Sequence, residues 1–549
     1  MREALARAPL FARLPGELLD EVAAGARPVA LAAGEWLLRQ GDPGDAAYTV
    51  CSGRLEVLAE RPAPAQRLRS LRRGDTFGEL ALITGAPRAA SIRAVRDSEL
   101  HAIDRAEFTR LLADPAFARG LLETLGQLLQ SPAPAPAPSA RAARPGVVTL
   151  LRLSERVPWE RLLIAAERAA ARHADTVLVA DPGGDAAEHA RLLDRLEGEH
   201  ELVLLACDGA SEGWSAFCAR QADRLVAVGA CGAAPPGRPA EGCELMLVRP
   251  PGVTTTVGPW LDALRPRAHH LVDAHDGHLG DGVERAMRRV LGRSLGIVLS
   301  GGGARAFAHL GVLERLEDAG VAVDRLGGTS MGAYISALAA SGMPAREAIA
   351  TCRREWVDRH PLGDYTVPRR ALIRGERARA MLARVFGERL VEQSPRDWFA
   401  VSADLLAAEP LVHRRGALAH AVGASMRLPG LVPPLADGPR LLVDGGVLNN
   451  LPIDVMADTR EGPVIAVDAM DRGIERTRAA HVPGIAEVLA RSAMLSSVRA
   501  AGAHHARAEL VIAPDVGGTG LLEFARLDAV VEAGRRAAEP LLDRAASLA

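Results

Sequence analysis

The chain has 549 residues, 48% hydrophobic and 24% charged, with 66 basic against 68 acidic side chains and a formal charge of −2. This length supports about three or four domains with packed cores, and the near-neutral balance argues against bulk nucleic-acid binding and against an acidic tail. Every basic residue is arginine. The six cysteines (Cys51, Cys207, Cys218, Cys231, Cys243 and Cys352) are scattered without a CxxC pair, which fits a reducing compartment. Arg2, Glu3, Arg7 and Arg13 interrupt the N-terminus, so it lacks the apolar core of a signal peptide. No run of about 18 apolar residues predicts a bilayer span. The expected location is cytoplasmic, with at most peripheral membrane contact.

Residues 1–130 open with two amphipathic segments, Glu3–Phe11 and Glu17–Ala24, then short strands such as Glu35–Arg39, Ala47–Cys51 and Arg54–Ala59, separated by glycine turns. Regular spacing of this kind predicts a small β-barrel or roll. After Asp104 the apolar residues switch to helical spacing. Within the roll, Phe77–Ser91 contains a glycine turn at Gly78, a one-turn helix and Arg88. Unpaired N–H groups and a fixed charge make a plausible anion cradle, but the residues alone fit a solvated surface loop as well.

That stretch, with Gly41–Val57 before it, resembles the cyclic nucleotide-binding domain of protein kinase A regulatory subunits and bacterial cyclic-AMP receptor proteins. The resemblance implies that Glu79 takes the ribose 2′-hydroxyl and Arg88 the cyclic phosphate, with backbone N–H groups of Leu80, Ala81 and Ala90 assisting. Ala89 stands where cyclic-GMP binders of that family carry a hydroxyl, which favours cyclic AMP.

A Pro/Ala segment at 131–146 reads as a semi-rigid linker. Residues 147–290 alternate apolar strands (Val147–Leu153, Thr176–Ala180, Glu201–Ala206, Arg224–Val228, Leu245–Val248) with helices, predicting a parallel α/β layer. Neither GxxxxGK[ST] nor GxGxxG follows its first strand, so it reads as a structural or docking domain. His269, His270, His275 and His278 lie near Asp273 and Asp276. Their spacing fits no regular ligand set, and they read as a solvated loop with no metal.

From Leu295 the pattern is strand, glycine turn, helix (Ala304–Gly320), strand (Asp324–Gly327), turn, helix (Ser330–Ser341). GxSxG occurs twice, around Ser294 and around Ser330. Ser294 follows a helix and precedes a strand, the reverse of the strand-turn-helix elbow that exposes a nucleophile, whereas Ser330 has the right order. Acyl transfer also needs a base and N–H donors aimed at the developing oxyanion. Gly301–Ala304 can supply the donors. No Ser…Asp…His order is evident downstream, while Asp444 ends an apolar strand before Gly445-Gly446 and can point to the same edge.

The combination Gly301-Gly302-Gly303-Ala304-Arg305, Gly328–Gly332 and Asp444-Gly445-Gly446, with Asn450 and Pro452 following, resembles the patatin-like phospholipase family. The whole arrangement is similar to bacterial relatives of neuropathy target esterase. The expected fold is therefore multidomain: a β-roll with helices (1–130), the linker (131–146), a middle α/β layer (147–290) and a C-terminal α/β hydrolase (291–549). The resemblance implies a Ser330–Asp444 dyad and an oxyanion hole at Gly302, Gly303 and Ala304 with Arg305 nearby. It also implies a phospholipid or lysophospholipid substrate, no catalytic cofactor, and cyclic nucleotide as regulator. Ala306 departs from the glycine usual in that motif; it would be costly at positive φ and harmless in a first helical turn. An alternative of another class stays open, a cyclic-nucleotide sensor or scaffold with an inactive hydrolase. The segment Ala424–Pro434 reads as an acyl-groove border or membrane contact, or equally as core. His309 reads as packing, and residues 456–549 as closing the layer without a function of their own.

Overall fold

Alternating burial builds the N-terminal region. A computed structural model describes residues 11, 14–60, 66–115, 117–122, 145–236, 242–275, 277–470 and 485–549. Strands β1 (Arg27–Leu31), β2 (Trp36–Leu38), β3 (Ala46–Ser52), β4 (Arg54–Ala59), β5 (Gln66–Arg72), β6 (Thr76–Phe77), β7 (Ser91–Ala94) and β8 (Ser98–Asp104) pair antiparallel. They form two four-stranded sheets, ordered β1-β8-β3-β6 and β2-β7-β4-β5. Val50, Leu55, Leu71 and Ile92 turn inward to one core, while Ala47 of β3 and Ile103 of β8 face a second core with the flanking helices, the two-sided alternation of a strand. Gly53, between β3 and β4, has φ 90°, and a Cβ there would strike Ser98, so this turn tolerates no side chain. Phe11, Phe108 and Phe117 pack the flanking helices together. The segment Glu3–Phe11, apart from Phe11, and most of the Pro/Ala linker lie outside the described residues.

The middle strands β9 (Val147–Arg152), β10 (Thr176–Val179), β11 (Leu202–Cys207) and β12 (Arg224–Ala230) run parallel in the order β10-β11-β9-β12. β9 and β11 are near-continuous apolar runs, as expected for strands covered on both faces. By compactness the chain divides into two units, one holding the β-roll with residues 145–228, the other holding residues 245–549. Inside the first unit, Arg54 Nη1 meets Asp223 Oδ2 at 2.7 Å and Arg96 Nη2 meets Glu197 Oε1 at 2.5 Å, so ion pairs join roll to layer.

In the second unit, β13 (Glu244–Arg249) and β14 (Ala268–Asp273) precede the hydrolase. β14 corrects an expectation. His269 and His270 belong to this strand rather than to a solvated loop, because alternate residues of Ala268–Asp273 are buried. His269 Nε2 pairs with the Glu392 carbonyl at 2.8 Å, and His275 Nδ1 with Asp273 at 2.6 Å. Among the described residues no three metal-type side chains converge; Asp276 is outside them.

The hydrolase sheet contains β15 (Gly296–Leu299), β16 (Arg325–Thr329), β17 (Asp397–Asp404), β18 (Glu409–His413), β19 (Leu435–Asp437), β20 (Arg440–Asp444), β21 (Val464–Val467) and β22 (Leu510–Ile512). Its order is β19-β20-β17-β16-β15-β21-β22, with β18 also on β17. β15, β16, β17, β21 and β22 are parallel; β18, β19 and β20 pair antiparallel. Ile297 and Leu299 face one core with Tyr334 and Ile335, while Val298 faces another with Phe399 and Met456. The register places the site. Thr329 of β16 pairs with Val401, and the next residue of β17, Ser402, pairs with Asp444. An antiparallel strand that starts beyond the sheet edge thus delivers its last residue beside the residue that follows β16, Ser330.

Candidate active site

Ser330 sits between β16 and the helix Met331–Ala340 with φ 57° and ψ −125°. A non-glycine residue there is strained, and the strain turns its hydroxyl out of the sheet edge. The sharp turn brings the helix start against β15. A Cβ at Gly332 would lie 2.4 Å from the Leu299 carbonyl oxygen, and one at Gly328 2.6 Å from the same atom. Glycines two residues before and after Ser330 are therefore steric requirements of this crossing.

The Ser330 hydroxyl donates to Asp444 Oδ2 at 2.6 Å. Asp444 is 1% exposed, and its Oδ1 accepts the Gly446 N–H at 2.8 Å. Burial pushes this carboxyl up to about 6, against the smaller opposing effects of the Ser330 and Gly446 hydrogen bonds. A group poised near neutrality suits an acid–base role. Ser425 steadies the elbow: its buried hydroxyl accepts the Ser330 N–H at 2.8 Å and donates to the Val401 carbonyl at 2.6 Å.

The glycine turn meets this pair. Gly302, Gly303, Ser330, Met331 and Asp444 line one cavity of about 370 Å³. Two of the other turn amides are already committed, Ala304 N–H to the Leu521 carbonyl (2.8 Å) and Arg305 N–H to that of Gly302 (3.2 Å). Gly302 and Gly303 are the turn residues that reach the cavity. The expected helix from Ala304 is instead a 3₁₀ turn, Gly303–Phe307, followed by the α-helix Ala308–Asp318. Arg305 lies buried, its Nε donating to the Thr519 carbonyl at 2.7 Å, so it anchors a loop and does not face the cavity lining. Ala306 is fully buried and is not at positive φ, so its methyl group fills core. His309 is neutral at ordinary pH, held down to about 4 by burial, and pairs through Nε2 with the Ser300 carbonyl at 2.9 Å. It braces the turn.

Most of the remaining wall is apolar, with Arg379, His420 and Arg427 as its charged or polar exceptions. Met426, Leu428, Leu431 and Val432 of the Ala424–Pro434 segment line it, with Met381 and Leu382 of the helix Glu376–Phe386. Met494, Leu521, Leu522 and Phe524 complete the wall, so the C-terminal region does more than close the layer. Sequence reasoning also left Ser425 and Asn450 without roles. The Asn450 carbonyl accepts the Gly301 N–H at 3.1 Å and its own N–H donates to Ser497 Oγ at 2.9 Å, tying the two glycine turns together. A polar residue next to each turn was the available signal. Ser294, the other GxSxG serine, is fully buried and accepts from Arg325 Nε at 3.0 Å.

In the β-roll, Gly78 (φ 86°) caps the short helix Glu79–Thr84, which carries Leu80 and Ala81. Arg88 is buried, donating to the Gly78 and Ala46 carbonyls (3.1 and 2.8 Å) and to Asp45 (3.1 Å). Ala89 and Ala90 lead from it into β7. Glu79 is 5% exposed, its Oε2 has no hydrogen-bond partner, and burial raises its carboxyl. A buried acceptor lacking a donor, close in sequence to a fixed guanidinium, fits a ligand that brings a hydroxyl and an anion.

The model of the patatin-like phospholipase family matches residues 297–457, which include Ser330 and Asp444, and that of the cyclic nucleotide-binding domain matches residues 28–114. An NTE family protein of Mycobacterium tuberculosis is 35% identical over 580 residues, covering 98% of this chain and 96% of its own length. Patatin-like phospholipase domain-containing protein 6 of Homo sapiens is 31% identical over 512 residues, which cover 80% of this chain but 37% of that protein. Among solved structures, the regulatory domain of Toxoplasma gondii PKA with cAMP matches 24% of this chain and 49% of that one at 30% identity, with a TM-score of 0.21.

Proposed function

The chain belongs to the NTE family, and from that premise and the geometry at Ser330 we propose that it hydrolyses acyl esters of phospholipids or lysophospholipids through an acyl-Ser330 intermediate. The observation that carries this reading is the 2.6 Å contact from the Ser330 hydroxyl to a buried Asp444 beside an apolar cavity. Asp444 Oδ2 takes the hydroxyl proton as Oγ attacks the ester carbonyl carbon. The carbonyl electron pair moves to oxygen, where the Gly302 and Gly303 N–H groups receive the charge; one such donor contributes about 3–4 kcal/mol to transition-state stabilisation. Collapse expels the alcohol, which leaves with the proton from Asp444. Water then repeats the sequence on the acyl-enzyme, giving its proton to Asp444, and Ser330 departs reprotonated with release of the fatty acid.

The β-roll is read as the site of a cyclic nucleotide, cyclic AMP for preference, with Glu79 on the ribose hydroxyl and Arg88 on the phosphate. The unpartnered Glu79 Oε2 supports this. Peripheral membrane contact and a cytoplasmic setting belong to the same reading: no helix among the described residues is long and apolar enough to cross a membrane. Tyr365 and Val367 stand exposed a few residues beyond the cavity-lining Leu362. No observation favours the inactive-hydrolase alternative, since Ala306 is accommodated without strain.

The test is hydrolysis of p-nitrophenyl esters and lysophospholipid by the full chain beside Ser330→Ala, with and without cyclic AMP. Activity that disappears in the variant, and labelling of Ser330 by a fluorophosphonate, is the expected result. A variant that retains activity overturns the nucleophile assignment.

A further inference from the structure

The catalytic cavity holds two positive charges that the dyad does not use. Arg379, exposed on the helix Glu376–Phe386, and Arg427, half-buried just after the helix Leu418–Ser425, both line it. Neither has a carboxylate within ion-pair distance among the described residues. The Arg427 side chain makes one hydrogen bond, from Nη1 to the Pro433 carbonyl at 3.2 Å, which leaves most of its five donors unused. Burial, and then the neighbouring Arg379, both push the Arg427 guanidinium below its usual range. Two like charges beside each other in an apolar wall are unfavourable unless an anion joins them.

Their placement relative to the chemistry is fixed. The Arg427 carbonyl accepts the Asp444 N–H at 2.9 Å, so Arg427 is tied through backbone to the residue that works on Ser330. A Cβ at Gly375 would lie 3.7 Å from Arg427 Nη1, which sets this guanidinium at the start of the helix that carries Arg379. The amides of that helix start are not part of the arrangement, because the Glu376 and Arg377 N–H groups both go to Asp364 Oδ2. Apart from Asp444, no carboxylate lines the cavity.

We propose that Arg379 and Arg427 form a phosphate-binding subsite that selects acyl esters carrying a phosphate or phosphodiester over neutral esters of the same chain length. Guanidinium groups suit this ligand because their planar donors bind phosphate oxygens in pairs. The acyl chain occupies the carbon wall and the phosphate lies at the arginines. This assignment rests on Ser330 being the acylated nucleophile.

The experiment compares kcat/KM on a lysophospholipid and on the monoacylglycerol with the same acyl chain, for the full chain and for Arg379→Glu, Arg427→Gln and Arg427→Lys. The ratio of phospho to neutral substrate is expected to fall at least tenfold in Arg379→Glu and Arg427→Gln, mainly through KM, with Arg427→Lys recovering part of it. Arg379 is exposed, so its variant reads out the subsite even if Arg427→Gln folds poorly. Inorganic phosphate added as competitor separates the two sources of the anion. Inhibition of lysophospholipid hydrolysis alone marks a subsite that takes free phosphate as well as a headgroup, and no inhibition marks one that needs the lipid; each agrees with the proposal when the ratio falls. An unchanged ratio in both Arg379→Glu and Arg427→Gln overturns the subsite and leaves the Ser330 reading intact. An enzyme inactive on both substrates, or one whose activity survives Ser330→Ala, overturns that reading and the subsite with it.

Discussion

The hydrolase sheet holds an acid near each end of β17, and the two are kept in opposite states. Asp397 opens the strand, with its side chain 19% exposed, Arg289 at 3.4 Å and Arg414 at 3.8 Å. Burial pushes its carboxyl up, but Arg289, Arg414 and Arg325 outweigh burial and hold it at about 2. Asp444 faces Ser402, five residues further along and about 17 Å away at the rise of a strand. No guanidinium acts on it, and burial raises it to about 6. The same functional group is thus a fixed counter-ion at one edge and, in the proposed mechanism, the proton acceptor at the other. Burial alone does not decide which; the presence of a cation does.

The largest expected effect is at the reactive edge. Asp444→Asn keeps the shape but cannot take the Ser330 proton, and activity on a p-nitrophenyl ester should fall about 10⁴-fold or more. Asp397→Asn should leave kcat nearly unchanged while the protein is folded. If the two variants lost activity equally, the division of roles between the edges would be wrong.

Stability should invert the ranking. Removing the Asp397 charge takes from Arg414 its carboxylate at 3.8 Å and leaves Arg289 with Glu461, 2.8 Å from its Nε. The cost, read by urea unfolding at pH 7, should fall below the roughly 3 kcal/mol of a fully broken buried pair, because Asp397 keeps some solvent and Arg289 keeps Glu461. Its lowered carboxyl contributes stability that is present above the unfolded value of 3.8 and is lost as pH falls through about 2. The penalty of Asp397→Asn should therefore shrink in acid. Asp444 has the other sign. A raised carboxyl contributes fully below 3.8 and loses that contribution as pH rises through about 6. Asp444→Asn should gain stability relative to wild type between pH 4 and pH 8, by at most about 3 kcal/mol from a shift of about two units.

What could be read from the sequence follows the same division. The meeting of Ser330 and Asp444 was legible because one follows a strand, the other ends one, and each sits in a glycine turn whose geometry is nearly obligatory. Asp397 was not, because β17 carries no motif and its meaning lies in arginines far away in the chain, Arg289 and Arg325. The histidines of β14 hid a strand, since two adjacent polar residues, His269 and His270, mask the alternating burial of Ala268–Asp273. The turn was legible as glycines, but which of its amides stay free depends on Leu521, more than 200 residues later, whose carbonyl takes the Ala304 N–H. Arg379 and Arg427 lie in segments that say nothing until a cavity brings them together.

The pH profile is the next measure of the comparison. If Asp444 must be ionised to accept the proton, kcat/KM should fall about tenfold per unit below a midpoint near 6. Asp397, already ionised far below this, should leave the midpoint where it is. A profile flat from pH 8 to pH 4 would remove Asp444 from the proton transfer.

The smallest effect separates the carboxylate from the elbow that presents the serine. Ser425 touches the Ser330 N–H and the Val401 carbonyl, and no contact to Asp444 is formed by its hydroxyl. Ser425→Ala leaves a buried N–H without its acceptor, a cost of about 1 kcal/mol or somewhat more. The affected residue already holds φ 57°, so the elbow can relax and swing the hydroxyl away from Oδ2. The expected result is a loss of about tenfold in kcat, since 1.4 kcal/mol corresponds to a factor of ten, with the pH midpoint still near 6. A moved midpoint would show that Ser425 sets the environment of Asp444 itself. An unmoved one with lowered kcat would assign it to positioning, and would leave burial without a cation as the origin of the raised carboxyl.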